Sequence, residues 1–238
     1  MTRIVGHVSA LNRFPVKSMA GERLSVAELD WQGIEGDRQY AFVRAANRSR
    51  FPWFTAREVP EMVLHRARFE DPAKPKTSAV TVEMPGGATL TLQDPALKAQ
   101  LEAAAGEPAT LIQVARGCYD SMPVSIQTSA GHAALEAEHG EALAMDRFRI
   151  NVIVESDLPA SEWRGKRLAF GDAADGAVVQ CADPIQRCVI VTIDPVTGAK
   201  APRVLRTVAQ AFGNNYGIYA GPARPGLIRI GDAVRVVE

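Results

Sequence analysis

The feature that most constrains this chain is the rhythm of its apolar runs, which are short, rich in Val and Ile, and broken by Gly, Pro or Asp. Ile4–Leu11, Leu24–Leu29, Gln39–Val43, Met62–Phe69, Val80–Met84, Thr110–Val114, Val124–Thr128, Asn151–Glu155, Ala177–Cys181, Val189–Ile193 and Leu227–Val237 all have this form. Several alternate, as in Thr81-Val82-Glu83 and Ile228-Arg229-Ile230, and alternation with period two is the mark of a half-buried strand. Three stretches read as helices instead. Pro95–Ala105 carries Leu97 and Leu101 one turn apart and stops near Gly106; Ser129–His139 opens on a cap-type residue; Val204–Phe212 repeats Leu205, Val208 and Phe212 on one face and ends at Gly213. Few helices among many short strands predict a mainly β protein, a barrel or sandwich with helical elaborations rather than an alternating βαβ sheet.

The polar stretch Glu70–Ser78 interrupts this pattern, and the texture changes again near Ala115–Ser121. A boundary at about residue 115 is expected, with an N-terminal β unit over 1–115 and a larger β-rich unit over 116–238. With 238 residues, 47% of them hydrophobic, the chain can bury a sizeable core. Its 27 basic and 27 acidic residues cancel, which argues against a disordered tail or a general nucleic-acid binder. Any anion-binding function must come from local clustering of cations.

The three cysteines, Cys118, Cys181 and Cys188, form neither an even disulfide set nor a C-x-x-C pair. The N-terminal stretch has no apolar signal core and no run is long enough for a membrane span. A reduced, cytoplasmic setting is the expectation. Phosphate-loop, dinucleotide, zinc-protease and serine-hydrolase motifs are missing. His7, His65, His132 and His139 are too dispersed to suggest a metal site.

The informative residues are cations at strand ends and turns. Lys17 sits in Phe14-Pro15-Val16-Lys17-Ser18, Arg38 in Gly36-Asp37-Arg38, and Arg57 in Thr55-Ala56-Arg57 after Trp53 and Phe54. Arg147-Phe148-Arg149-Ile150-Asn151 leads into one apolar run, and Gln186-Arg187-Cys188 into another. One arginine at a strand end is ordinarily a solvated charge. Several together suit a phosphate pocket, because guanidinium groups contact phosphate in bidentate fashion. Cys188 has two readings. With Arg187 beside it, it could be a thiolate that binds a soft metal or attacks an electrophile; otherwise it is a small buried hydrophobe.

In order and spacing, these segments resemble the MOSC superfamily, named for the C-terminal domain of molybdenum cofactor sulfurase. The likeness runs through P-V-K-S at 15–18, Gly36-Asp37-Arg38, Thr55-Ala56-Arg57 with Pro60, Phe148–Val154, Trp163-Arg164-Gly165 with Gly171-Asp172, Arg187-Cys188 through Asp194–Gly198, and Gly231-Asp232. It is nearest the branch with an N-terminal β-barrel unit that includes the mitochondrial amidoxime-reducing component and its bacterial relatives. The resemblance implies a mainly β MOSC fold and a molybdopterin-type molybdenum cofactor, with Cys188 ligating the metal; pyridoxal phosphate is not expected. Lys17, Arg38, Arg57, Arg149, Asn151 and Arg187 match positions that contact the cofactor, while Asp120 and Ser121 match a segment near the metal. Asp120 is then a candidate for proton delivery. Two departures stand out: Ile185 replaces the first cysteine of the branch's C-x-R-C, and Ile150 replaces the proline of R-P-N.

What the resemblance implies for activity is reduction of N-hydroxylated small molecules. With no iron–sulfur cysteine cluster or flavin motif in the sequence, a separate electron-transfer partner of ferredoxin, flavin or haem type is expected. The alternative is a carrier of the cofactor or of persulfide sulfur on Cys188. No nucleic-acid partner is expected.

Overall fold

A computed structural model describes residues 3–172 and 174–237. Its centre is a closed seven-stranded barrel. The strand order is Val152–Glu155, Val124–Thr128, Asn215–Arg224, Val178–Gln186, Arg167–Phe170, Ala233–Val237 and Arg3–Arg13, and the last pairs with the first. Every pairing is antiparallel except that of Val124–Thr128 with Val152–Glu155. A parallel pair needs a crossover, and helix α2 (Ser129–His139) lies in that connection. The long first strand closes the barrel by serving several neighbours in turn. Arg3–His7 pair with the last strand, His7–Leu11 with Val152–Glu155, and Leu11–Arg13 with a short strand Glu22–Leu24.

The barrel is filled by the apolar residues that alternation placed inward, among them Val8, Leu11, Ile126, Val154, Leu168, Val179, Ile218 and Val234, with Trp163 packed among them. Each such side chain, fully buried, contributes roughly 1.5–3 kcal/mol. A second core lies under the N-terminal half, where Phe42, Phe54, Met62, Phe69 and Val82 pack against α1 (Pro95–Ala105). There the strands pair as a meander of Arg66–Phe69, Val80–Glu83 and Thr89–Thr91, and as a ladder of Tyr40–Arg44 with Ala109–Gln113. A third cluster, including Leu135, Phe148, Val204 and Val208, joins α2 and α3 (Pro202–Phe212) to the barrel. All three helices end on a left-handed glycine, Gly106, Gly140 or Gly213; the sequence pointed to Gly106 and Gly213.

The mainly β fold with three helices is as expected, and four local readings are corrected. Val189–Ile193 is not a strand: Val189–Thr192 form a 3-10 helix whose cap is Cys188. Met62–Phe69 divides into a 3-10 turn, Pro60–Leu64, and a strand from Arg66. Ala177–Cys181 is the start of a strand that runs on to Gln186, because bulges around Pro184 absorb the proline without ending the pairing. Asn215–Arg224, broken in sequence by Gly217, Gly221 and Pro222, is a ten-residue barrel strand that the alternation pattern does not reveal.

Candidate functional site

Three chain segments are laced together by backbone hydrogen bonds at one end of the barrel. Arg38 N donates to Phe14 O (2.7 Å), Lys17 N to Tyr40 O (2.8 Å), and Cys118 N to Arg38 O (2.7 Å). Lys17, Arg38 and Asp120, far apart in sequence, therefore emerge side by side. Asn12 N donates to Asn151 O (2.8 Å) and its side chain to Ile150 O (2.7 Å), which adds the Arg147–Asn151 segment. Arg187 N donates to Asn214 O (2.9 Å), fixing the turn that presents Cys188.

These segments enclose a cleft open to solvent. Lys17, Arg38, Arg57, Asp120, Arg149, Asn151, Arg187 and Cys188 all line it. Ser121 is exposed and is not among the lining residues. The lining also includes Arg147, Phe51, Tyr119 and Tyr219, which sequence reasoning did not single out. Arg147 stands two residues before Arg149 in the same short motif, so an R-x-R pair at a strand entry was the available signal. Tyr219 was hidden with its strand.

Among the described residues, the non-glycine positions with positive φ are Ser18, Arg38, Arg149 and Asn214, and the first three line this cleft. Such backbone costs about 1–3 kcal/mol per residue and gathers where function over-determines a position.

The electrostatics are lopsided: six cationic side chains and one carboxylate line the cleft. Lys17 Nζ donates to Asp120 Oδ1 (2.6 Å) and to the Cys118 carbonyl (2.7 Å), and lies 5.4 Å from the Trp53 ring. Burial lowers the Lys17 pKa in spite of this partner. Burial would raise the Asp120 carboxyl, but the charge and hydrogen bond of Lys17, with the charges of Arg38 and Arg57, together hold Asp120 below the usual carboxylate range. Arg38 pairs with buried Asp37, which keeps its pKa raised against the cost of burial. Arg147 pairs with Asp194 at 2.9 Å.

Arg57, Arg149 and Arg187 have no carboxylate partner among the described residues. Arg187 spends its nitrogens on the carbonyls of Tyr216 (2.8 and 3.0 Å) and Phe148 (3.0 Å), and burial pushes its pKa down to about 10. Arg149 donates through Nη1 to the Met19 carbonyl, while its buried Nη2 has no partner. Burial first, and then the neighbouring Arg38 charge, push Arg149 down to about 9. A guanidinium keeps its proton in a protein, so this cost amounts to an unmet demand for negative charge in the cleft.

Cys188 is partly exposed, whereas Cys118 and Cys181 are buried, and burial pushes their thiols up to about 11 and about 12. The Arg57 pKa is held raised against burial by Cys188 and by the charges of Asp120 and Glu58, so Arg57 as well as Arg187 lies near the thiol. Asn151 is also differently employed from a simple ligand contact. Its Oδ1 accepts from Ser125 Oγ (2.8 Å), Ser125 N (3.2 Å) and Arg38 Nη1 (3.3 Å), and its Nδ2 donates to Asn12 O (3.2 Å). It holds Arg38 and the cleft wall in place.

Comparison with known proteins agrees with this architecture. Residues 5–120 match the MOSC N-terminal beta barrel domain and residues 114–235 the MOSC domain. The molybdenum cofactor sulfurase of Drosophila mojavensis is 33% identical over 88 residues, 36% of this chain and 11% of that protein. Molybdenum cofactor sulfurase 1 of Aedes aegypti is 37% identical over 86 residues, 34% of this chain and 10% of that protein. The chain thus aligns with only about a tenth of these relatives' length. The YuaD protein from Bacillus subtilis has the same fold, with a TM-score of 0.55 at 16% identity over 99% of this chain and 96% of that one.

Proposed function

The chain belongs to the MOSC family, and from that premise we propose that its basic cleft holds a molybdopterin-type molybdenum cofactor and serves the reduction of N-hydroxylated small molecules. The observation that carries this reading is Arg149, a buried guanidinium with an unpartnered Nη2 in a cleft whose one lining carboxylate is already taken by Lys17. A phosphate-bearing pterin brings the missing charge. The donor set fits it: arginines suit the phosphate and a single accessible thiol suits a soft metal.

In this reading Cys188 would ligate the metal, with Arg57 beside it in the cleft. Arg38 and Arg149 hold the anionic end, and Lys17 and Arg187 add field. Asn151 positions Arg38. The bound cofactor supplies two-electron removal of the substrate oxygen as water, and the electrons come from a separate electron-transfer protein. Asp120 is held ionised by Lys17, so it is not the acid at neutral pH. The proton between Lys17 Nζ and Asp120 Oδ1 belongs to lysine, whose pKa burial has lowered. In this reading the hydrogen-bonded Lys17–Asp120 pair is the route of proton delivery in the cleft.

A second reading is favoured by the partial exposure of Cys188 and by the relatives' designation as sulfurases: Cys188 carries persulfide sulfur to a cofactor it does not keep. Elemental analysis of protein from a cofactor-making host, beside Cys188→Ser, separates the two. Molybdenum near one atom per chain, lost in the variant, supports the resident cofactor. Molybdenum-free wild type with persulfide on Cys188 overturns it in favour of the carrier.

A further inference from the structure

A second cleft opens on the far face of the wall formed by Arg147, Arg149 and Ile190, all three of which line both cavities. Its apolar side comes from Phe14, Val63, Ile193 and Val196. Val196 is 73% exposed and stands at the lip.

Its charges are uneven. Glu22 is occupied by Arg13 (2.8 Å) and Asp146 by Arg23 (2.6 Å). Arg66, exposed at the rim, has no carboxylate partner among the described residues. At the inner wall the Arg147 side chain, 6% exposed, uses Nη1 and Nη2 on Val191 O and Asp194 but leaves its buried Nε without a partner. A buried donor left unmade costs about 1–3 kcal/mol. An apolar trough with unpaired Arg66 at its rim, and with Arg147 and the unpaired Arg149 in its wall, matches a molecule with a hydrocarbon body and an anionic group.

We propose that this second cleft is a binding site for small amphiphilic monocarboxylates, flat or linear, separate from the cofactor cleft. The hydrocarbon lies along Phe14, Val63 and Val196, and the carboxylate meets Arg147 and Arg66. Because Ile190 belongs to the 3-10 turn that Cys188 caps, occupancy bears on the segment carrying the thiol.

Octanoate is the probe, measured by calorimetry on the full chain, with octanol and inorganic phosphate as controls. Binding of octanoate at least tenfold tighter than octanol is expected, and at least tenfold loss in Arg66→Glu and in Val196→Asp, two exposed positions whose replacement spares the core. Phosphate is expected to bind regardless of these variants, through the first cleft. Octanoate affinity unchanged in both variants, or lost instead in Arg57→Glu, would place the ligand in the first cleft and overturn the proposal, as would absence of binding at millimolar octanoate. Molybdenum content reads the cofactor assignment independently, so failure of one leaves the other standing.

Discussion

Arg38 donates through Nη2 to the backbone carbonyl of Arg149 at 3.1 Å, so two guanidinium groups share one cleft wall while only the first has a carboxylate. Both also lie over the Phe14 ring, at 4.9 and 4.4 Å from its centroid. The wall is built to tolerate this repulsion until an anion arrives. Arg149→Met removes it: ligand-free stability should rise by about 1–3 kcal/mol, or roughly 2–4 °C of Tm per kcal/mol. The stabilisation of wild type by millimolar phosphate should shrink in the same variant. A lower Tm with the phosphate effect intact would make Arg149 a purely structural residue.

The Asn151 carboxamide is surrounded by partners on every side, so Asn151→Ala strands several buried groups at once and should cost about 2–4 kcal/mol. Adding Ser125→Ala removes the main orphan and should recover part of the loss. Denaturant titration of the double-mutant cycle reads the coupling; simple additivity would show that the two side chains act separately.

Asp120 has a folded pKa below its unfolded one, so its contribution to stability is present above the ordinary carboxylate range, near pH 4, and is lost as pH falls through the depressed value. The side chain is 50% exposed, which limits the pair to about 1 kcal/mol or less. Asp120→Asn should therefore be less stable than wild type at pH 7, and the gap should close in acid. A gap constant from pH 7 to pH 3 would mean that the ion pair is not its source.

Arg57 lines the cleft without a carboxylate partner among the described residues, so Arg57→Gln should weaken phosphate binding, read by calorimetry, by up to about tenfold. Unchanged affinity would return Arg57 to the solvated surface charges.

A Cβ on Gly6 would stand 2.3 Å from the Glu155 carbonyl oxygen, across the seam where the barrel closes. Gly6→Ala should destabilise by about 1–3 kcal/mol without altering phosphate binding by the remaining folded protein. A neutral effect on thermal melting would show that the seam can shift.

Much of this was legible beforehand, for identifiable reasons. Alternation located most barrel strands because one face of each is buried, and left-handed glycines marked the helix ends. It failed at Asn215–Arg224, where Gly217 and Gly221 break the period while the ladder continues through bulges, and at Val189–Thr192, where an apolar run is buried as a 3-10 turn. Eight of the nine candidate site residues reach one cleft, since cations at strand ends converge when a barrel closes. Sequence could not tell that Arg187, next to Cys188 in the chain, spends its guanidinium on backbone carbonyls, or that Arg57 joins the same cleft from a remote loop. Nor could it show that Asn151 is fully spent on protein partners.

The first strand closes the barrel by holding both Val152–Glu155 and Ala233–Val237. During synthesis, Arg3–Arg13 therefore leaves the ribosome long before either neighbour exists. Until Ala233–Val237 emerges, the nascent sheet carries two open edges, each a template for pairing with another chain. Such distant pairings make folding slow. The cleft therefore takes shape late, once the strands that close the barrel have been made, rather than by early collapse of the N-terminal half.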